Sequence, residues 1–269
     1  YQIFLPHFFK KVFFYHFFSF FNLRTSSFIA NIVLYLRVLR LNQPQETMHE
    51  KLNGIVLHVL RYSDKNSIVH ILTDRCGRMA FLLPQGATKG ARLRNAMFMP
   101  LSVIEFEAKI LPGRDLHTFR DARSTCNLAG LYSDPFKNAV AMFISELLTR
   151  SIQESEENIP LFRFIEASII LLNNMETGIA NFHIWFLYNL GAFLGIQPDI
   201  DTFKEGYWFD MANGIFTQER PIHSHALHPK EAPAILLLSR MTSQNLHLFK
   251  FNRTQRGEIL DIALSYYRL

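Results

Sequence analysis

The stretch LLPQGATKGARLR, Leu82 to Arg94, combines two glycines with one lysine and two arginines directly after an apolar run. That composition offers two chemistries: a phosphate cradle for a nucleotide, or one wall of a groove for a polyanion. A nucleotide-binding loop needs G-x-x-x-x-G-K-[ST], so that backbone N–H groups wrap the phosphates and a hydroxyl reaches the magnesium ion. Gly86 and Gly90 are one residue too close together, and Ala91 and Arg92 stand where the lysine and the hydroxyl residue belong. The cradle fails on spacing and on chemistry. A basic loop at a strand end remains, and its meaning depends on its surroundings.

Other catalytic arrangements are equally poor. The chain has no G-x-S-x-G, H-E-x-x-H or Walker motif, so no enzyme activity, small-molecule substrate or cofactor is expected. His223, His225 and His228 in IHSHALHP have a spacing that could ligate a metal, but only Glu219 and Glu231 stand nearby as acids. A surface loop is the preferred reading, and no metal is expected. Cys76 and Cys126 form no C-x-x-C pair and point to a reducing compartment without a disulfide framework.

Charge is unevenly spread. Residues 48 to 125 hold twelve Lys/Arg against seven Asp/Glu, whereas residues 126 to 269 hold eleven against fifteen, so the basic character sits in the earlier part. Between Arg75 and Ile104 there is no acid, yet Arg75, Arg78, Lys89, Arg92 and Arg94 fall inside that window. Such a segment is the expected footprint of a polyanion surface, with a solvated charged face as the alternative.

Residues 1–47 differ sharply from the rest, and the first 28 contain ten of the 26 phenylalanines. Lys10, Lys11, Arg24 and Arg37 interrupt the apolar runs, leaving them too short for a membrane-spanning helix. No compact apolar region followed by a small-residue cleavage site marks a secretory signal. The preferred reading is that this extension is translated upstream sequence and that Met48 is the start. A peripheral membrane-binding arm is the alternative, and no stable membrane association is expected.

From Leu52 onward, apolar or β-branched runs over 54–62, 67–74, 77–84, 102–111 and 116–123 are separated by turn-rich SDKN, RCG and PGRD. Five short strands in about 70 residues fit a small closed barrel, and the OB-fold is the common five-stranded type that binds nucleic acid. Helical periodicity then takes over at 135–153, 160–175, 179–194, 229–241 and 254–267. Between these lies a loop-like stretch with Asn213-Gly214 as a hairpin turn. The expected fold is α+β, an OB-fold barrel over 48–125 followed by an all-helical domain over 126–269.

On such a barrel, cations track phosphates and aromatic rings stack on bases. Arg61 and Lys65 surround the first turn, Arg75 and Arg78 flank the second, and Lys89, Arg92 and Arg94 follow the third strand. These seven are the DNA-binding candidates. Tyr62 and Phe81 are candidate base-stacking platforms, although a strand phenylalanine is more often core.

The ordered set GIVLHVLRYSDKNSIVHILTDRCGRMAFLLPQGATKGARLR, PLSVIEFE, PGRDLHTFRDA, ISELLTR and LYNLGAFLGIQP resembles the bacterial RecO recombination mediators over essentially the whole chain after Met48. The resemblance implies an N-terminal OB-fold, a helical C-terminal domain and binding of single- and double-stranded DNA. It further implies a cytoplasmic, nucleoid-associated role in recombinational repair: annealing complementary strands and, with RecR, helping load RecA onto DNA coated by single-strand binding protein (SSB). The family docks the acidic, phenylalanine-ending SSB tail, for which Arg150, Arg163 and His183 beside Phe143, Phe182 and Trp185 are the candidates. Two departures stand out. Many members carry paired cysteines as a zinc module where this chain has the cysteine-free segment 199–228, and PQGATKG differs from the commoner AKGAR-type loop. An OB-fold RNA-binding or translation-associated protein is the rival reading, and a membrane scaffold using the Phe-rich arm is a third.

If about six cations engage one strand, log K falls against log salt with a slope near −4. Reversing charge at Arg78, Lys89 and Arg92 together is expected to weaken DNA binding and flatten that slope with the fold intact. Circular dichroism and salt-titrated anisotropy check it, and normal annealing by the variant would put the groove elsewhere.

Overall fold

The computed structural model describes residues 48–86, 95–111, 113–152 and 156–268. The extension 1–47 therefore lies outside the described residues, as do Lys89, Arg92 and Arg94. Strands β1 (Met48–Arg61), β2 (Asn66–Thr73), β3 (Gly77–Pro84), β4 (Val103–Ile110) and β5 (Leu116–Ser124) close into a barrel in the order β1-β2-β3-β5-β4. β3 and β5 meet in parallel through Ala80↔Leu116 and Phe81↔His117; every other pairing is antiparallel. This is the five-stranded OB arrangement expected.

β1 begins six residues before the apolar run suggests. Its first part pairs with β4, from Met48↔Ile110 to Ile55↔Val103, and its second part with β2, from Gly54↔Thr73 to Arg61↔Ser67. One long strand thus serves both neighbours, with a register shift between Val56 and His58. The run Gly54 to Leu57 does not alternate because both faces are covered. Leu52 and Val56 join Val69, Ile71, Phe81 and Phe106 inside the barrel. Ile55 and Leu57, with Leu72, Leu101 and Val103, belong instead to the core shared with the helices.

The helices are α1 (Ala129–Ser133), α2 (Pro135–Ser151), α3 (Ile159–Asn174), α4 (Ile179–Phe193), α5 (Pro233–Ser239) and α6 (Arg253–Tyr267). Their starts are chemically marked. Asp134 accepts from the N–H groups of Phe136 and Lys137 at 2.8 and 3.2 Å, Asn158 accepts from Leu161 N–H at 3.0 Å, and Asn252 forms a reciprocal capping box with Gln255. α4 is apolar on nearly every side and is the buried central helix, with α2, α3, α5 and α6 packed on it.

The C-terminal region is not purely helical. β6 (Trp208–Asp210), β7 (Ile215–Thr217) and β8 (Ala226–Leu227) form a sheet in the order β7-β6-β8. The hairpin at Asn213-Gly214 is present, with Gly214 at φ 69°. β8 is only two residues long and leaves no periodic signal.

Gly54 faces the barrel interior, where a Cβ would stand 2.4 Å from Ile71 Cγ2 and 2.8 Å from Phe106 Cε1. Gly54→Ala is expected to cost about 1–3 kcal/mol through overpacking, measured as a lower urea midpoint. An unchanged midpoint would mean that the barrel relaxes freely there.

Candidate nucleic-acid interface

The β1–β2 turn projects from one end of the barrel. Tyr62 and Ser63 donate their N–H groups to Asn66 O, and the chain leaving β3 is tied to the same place by Gln85 N–H to Lys65 O at 2.7 Å. Asn95 Nδ2 donates to Gln85 Oε1 at 2.7 Å, so the described residues on either side of 87–94 meet at this end. Here Tyr62 is 67% exposed, beside exposed Val59 and Leu60. Arg61 and Lys65 are exposed too, Arg61 meeting Asp64 at 2.9 Å in a pair open to water.

The other barrel candidates are dispersed. Arg75 sits in the β2–β3 turn at the opposite end and donates to Lys51 O. Arg78 is not on a solvent-facing groove: its Nη1 donates to Thr149 O at 2.7 Å and Ile152 O at 2.9 Å, at the C-terminal end of α2. Helix-end carbonyls have no intrahelical donor and carry partial negative charge, so a guanidinium from the barrel satisfies them. Phe81 is fully buried, with Phe106 edge-on at 5.1 Å and Phe119 at 5.9 Å, and so is not a stacking platform. Its register opposite Val69 turns it into the barrel.

Beside Arg78, the paired residues His58 and His70 stack with ring centroids 4.5 Å apart. Thr149 Oγ1 lies 3.4 Å from His58 Nδ1. Burial, then the neighbouring His58 and Arg78 charges, push His70 down to about 4, and burial and Arg78 also lower His58. Both rings are thus pushed toward the neutral form, and they sit at the barrel–helix contact.

A further constellation is an ion-pair lattice on β1, β4 and β5. Glu105 bridges Lys51 at 2.9 Å and Arg123, while Glu107 takes two bonds from Arg120, at 3.0 and 2.6 Å, and lies 3.5 Å from His49. Lys51 and Arg123 hold Glu105 below the usual carboxylate range, and Arg120 does the same for Glu107. Glu105 and Glu107 alternate with buried Phe106 along β4, so they share its outward face, and their partners come from the cross-strand register, which one strand alone does not reveal.

In the helical region, a groove of about 800 Å³ is lined by Phe143, Leu147, Arg150, Leu161, Phe193 and Arg268, among others. Arg150 pairs with Glu146 at 2.5 Å on its rim. Arg163 pairs with Glu166 at 3.0 Å on α3 and does not line the groove. His183 packs edge-on to Phe143 at 5.6 Å, and burial, followed by the Arg256 charge, pushes it down to about 4. As an interior neutral ring it cannot serve as the cation proposed from sequence, and Phe182 and Trp185 are buried core.

The histidine loop folds back on β6. Asp210, 5% exposed, accepts from Ala212 N–H at 2.9 Å, Asn213 N–H at 3.1 Å and Asn213 Nδ2 at 2.8 Å, with His223 Nε2 at 3.2 Å. His228 packs edge-on to Trp208 at 4.9 Å. Among the described residues, no group of three or more His, Cys, Asp or Glu is placed to hold a metal ion. Nor is any described helix long and apolar enough to cross a membrane.

Family models match in tandem: Recombination protein O N terminal over residues 48–127 and Recombination protein O C terminal over 132–269. The chain belongs to the RecO family. The DNA repair protein RecO of Bacteroides fragilis is 43% identical over 223 residues, covering 82% of this chain and 92% of that protein. That of Phocaeicola vulgatus is 40% identical, covering 82% and 92%, and that of Porphyromonas gingivalis 34%, covering 80% and 89%.

The histidine pair generates a pH dependence. Because the folded pKa values lie below the unfolded value near 6.5, the unfolded chain binds more protons in between. The stability contribution is complete above about pH 6.5 and is lost as pH falls toward 4. Between pH 7 and 5, His70→Gln is expected to lose roughly 2–4 °C less melting temperature than the parent. Equal losses in the two proteins would contradict the assignment.

Proposed function

We infer that this chain is a DNA-binding mediator of recombinational repair that holds single- and double-stranded DNA without making or breaking a bond. Membership in a family of DNA repair proteins supports this. The observation that carries it is the convergence, at one barrel end, of Arg61, Lys65, exposed Tyr62 and both ends of the segment bearing Lys89, Arg92 and Arg94. Phosphates repel when two strands approach, and cations that neutralise one backbone lower that repulsion. An aromatic ring beside them stacks on a base of any sequence. Annealing of complementary strands follows from these two effects alone, so the reading needs neither a cofactor nor a catalytic side chain. Residues 48–125 are the DNA-holding module and 126–269 the docking module, working in the cytoplasm on nucleoid DNA.

The same reading assigns the groove by α2 to the SSB tail. An apolar floor from Phe143, Leu147, Leu161 and Phe193 suits a terminal aromatic ring, and of the charges on the lining Arg268 suits a carboxylate, while Arg150 is paired with Glu146 and Glu156 stands on the same lining. RecR and, indirectly, RecA complete the partner set.

Single-strand binding by protein starting at Met48 tests the claim. With Arg61, Lys65, Lys89, Arg92 and Arg94 engaged, the log K against log salt slope is expected near −3.5, and Lys89→Glu with Arg92→Glu reduces it by about 1.4. Arg78 is left out, since its guanidinium holds α2. A slope unchanged in the double variant, or a clear preference for RNA of equal length, would overturn the reading.

A further inference from the structure

The groove by α2 is not built from helices alone. Leu72 of β2 lines it, together with Arg150, Ser151 and Ile152 at the end of α2 and Tyr267 of α6. Leu72 is also the direct register partner of Arg78 on β3. Arg78 in turn holds the carbonyls of Thr149 and Ile152, the residues that bracket Arg150 and Ser151. Ser145 and Thr149 also link α2 to β1, but Arg78 is the barrel residue bonded to the carbonyls on either side of Arg150 and Ser151, although it is not itself among the residues lining the groove.

We propose that Arg78 is a positioning residue for peptide binding, fixing Leu72 and the Arg150–Ile152 turn at the distance an aromatic-ended acidic peptide requires. Three physical points carry this. The two bonds from one Nη1 go to carbonyls three residues apart, which fixes the last turn of α2 in rotation as well as in distance. Those acceptors lie at a helix C-terminus, where a cation is favoured and where water would otherwise take its place. Leu72, 4% exposed, packs in the core shared with the helices and is held on β2 directly opposite Arg78 of β3 by the strand pairing. Losing Arg78 frees the end of α2 to fray away from Leu72, opening the groove on one side without touching the barrel end that bears Arg61 and Lys65.

The inference rests on the docking reading above, and the experiment separates the two. A labelled acidic nonapeptide ending in phenylalanine and, separately, labelled oligo(dT) are titrated by anisotropy against the full chain and against Arg78→Leu, Arg78→Lys, Leu72→Ala and the Arg78→Leu/Leu72→Ala pair. Arg78→Leu is expected to weaken the peptide at least fivefold, Arg78→Lys to recover part of that, and the double variant to lose little more than Arg78→Leu alone. Oligo(dT) affinity stays within twofold throughout, which reports an intact barrel. Peptide affinity unchanged in Arg78→Leu, or strictly additive losses in the double variant, would overturn the positioning role while leaving peptide docking in place. No peptide binding by the parent chain would remove the docking reading and this inference with it. Should Arg78→Leu fail to fold, Arg78→Lys and Leu72→Ala decide: both must weaken the peptide with oligo(dT) affinity kept.

Discussion

The middle of strand β1, Gly54 to Leu57, is buried on both faces, and the rest of the structure depends on that constraint. A five-stranded barrel of this size encloses few side chains, here Leu52, Val56, Val69, Ile71, Phe81 and Phe106 with their neighbours. The outward side of the same strands carries Ile55, Leu57 and Leu72, which need cover of their own. The helices supply it, so this outer face and the helices share a second core, distinct from the one inside the barrel. Polar groups crossing that contact must then be paired, and they are: Arg78 with the end of α2, Ser145 with Leu57 O, and the two stacked histidines with each other and Thr149.

This arrangement sorts the barrel's cations by what surrounds them. Arg78 satisfies a helix end. Lys51, Arg120 and Arg123 are matched by Glu105 and Glu107 across three strands. Arg61 and Lys65 are at the barrel end where Gln85 and Asn95 meet, beside an aromatic ring open to water. Formal charge alone would have weighted all of these equally. What separates these cations is how firmly the protein holds them: Arg78 by two helix-end carbonyls, Lys51, Arg120 and Arg123 by a shared pair of carboxylates, and Arg61 only by Asp64 in a pair open to water.

Local signals were legible from sequence where one element decides its own structure. The five strands, the helices at 135, 160, 179 and 254, and the Asn213-Gly214 hairpin follow from periodicity, caps and turn residues. Signals that depend on register were not. The inward turn of Phe81, the link from Arg78 to a helix more than seventy residues away and the Glu105/Glu107 lattice all require knowing which strand lies beside which. His183 was misread for a related reason. In α4, apolar on nearly every side, a histidine is more economically explained as an interior ring than as a surface cation. That segment 199–228 has no cysteine was visible at once; that Asp210 would gather Ala212, Asn213 and His223 around itself was not.

The central claim is that nucleic acid lies at the β1–β2 end and not on the charge-matched β1–β4–β5 face. Photo-crosslinking of 4-thiothymidine oligonucleotide to the unmodified chain, with the adducts mapped by mass spectrometry, tests it most directly. The account predicts adducts at Tyr62 and its neighbours through Lys65. Adducts confined to Lys51, Arg120 and Arg123, with none around Tyr62, would contradict it.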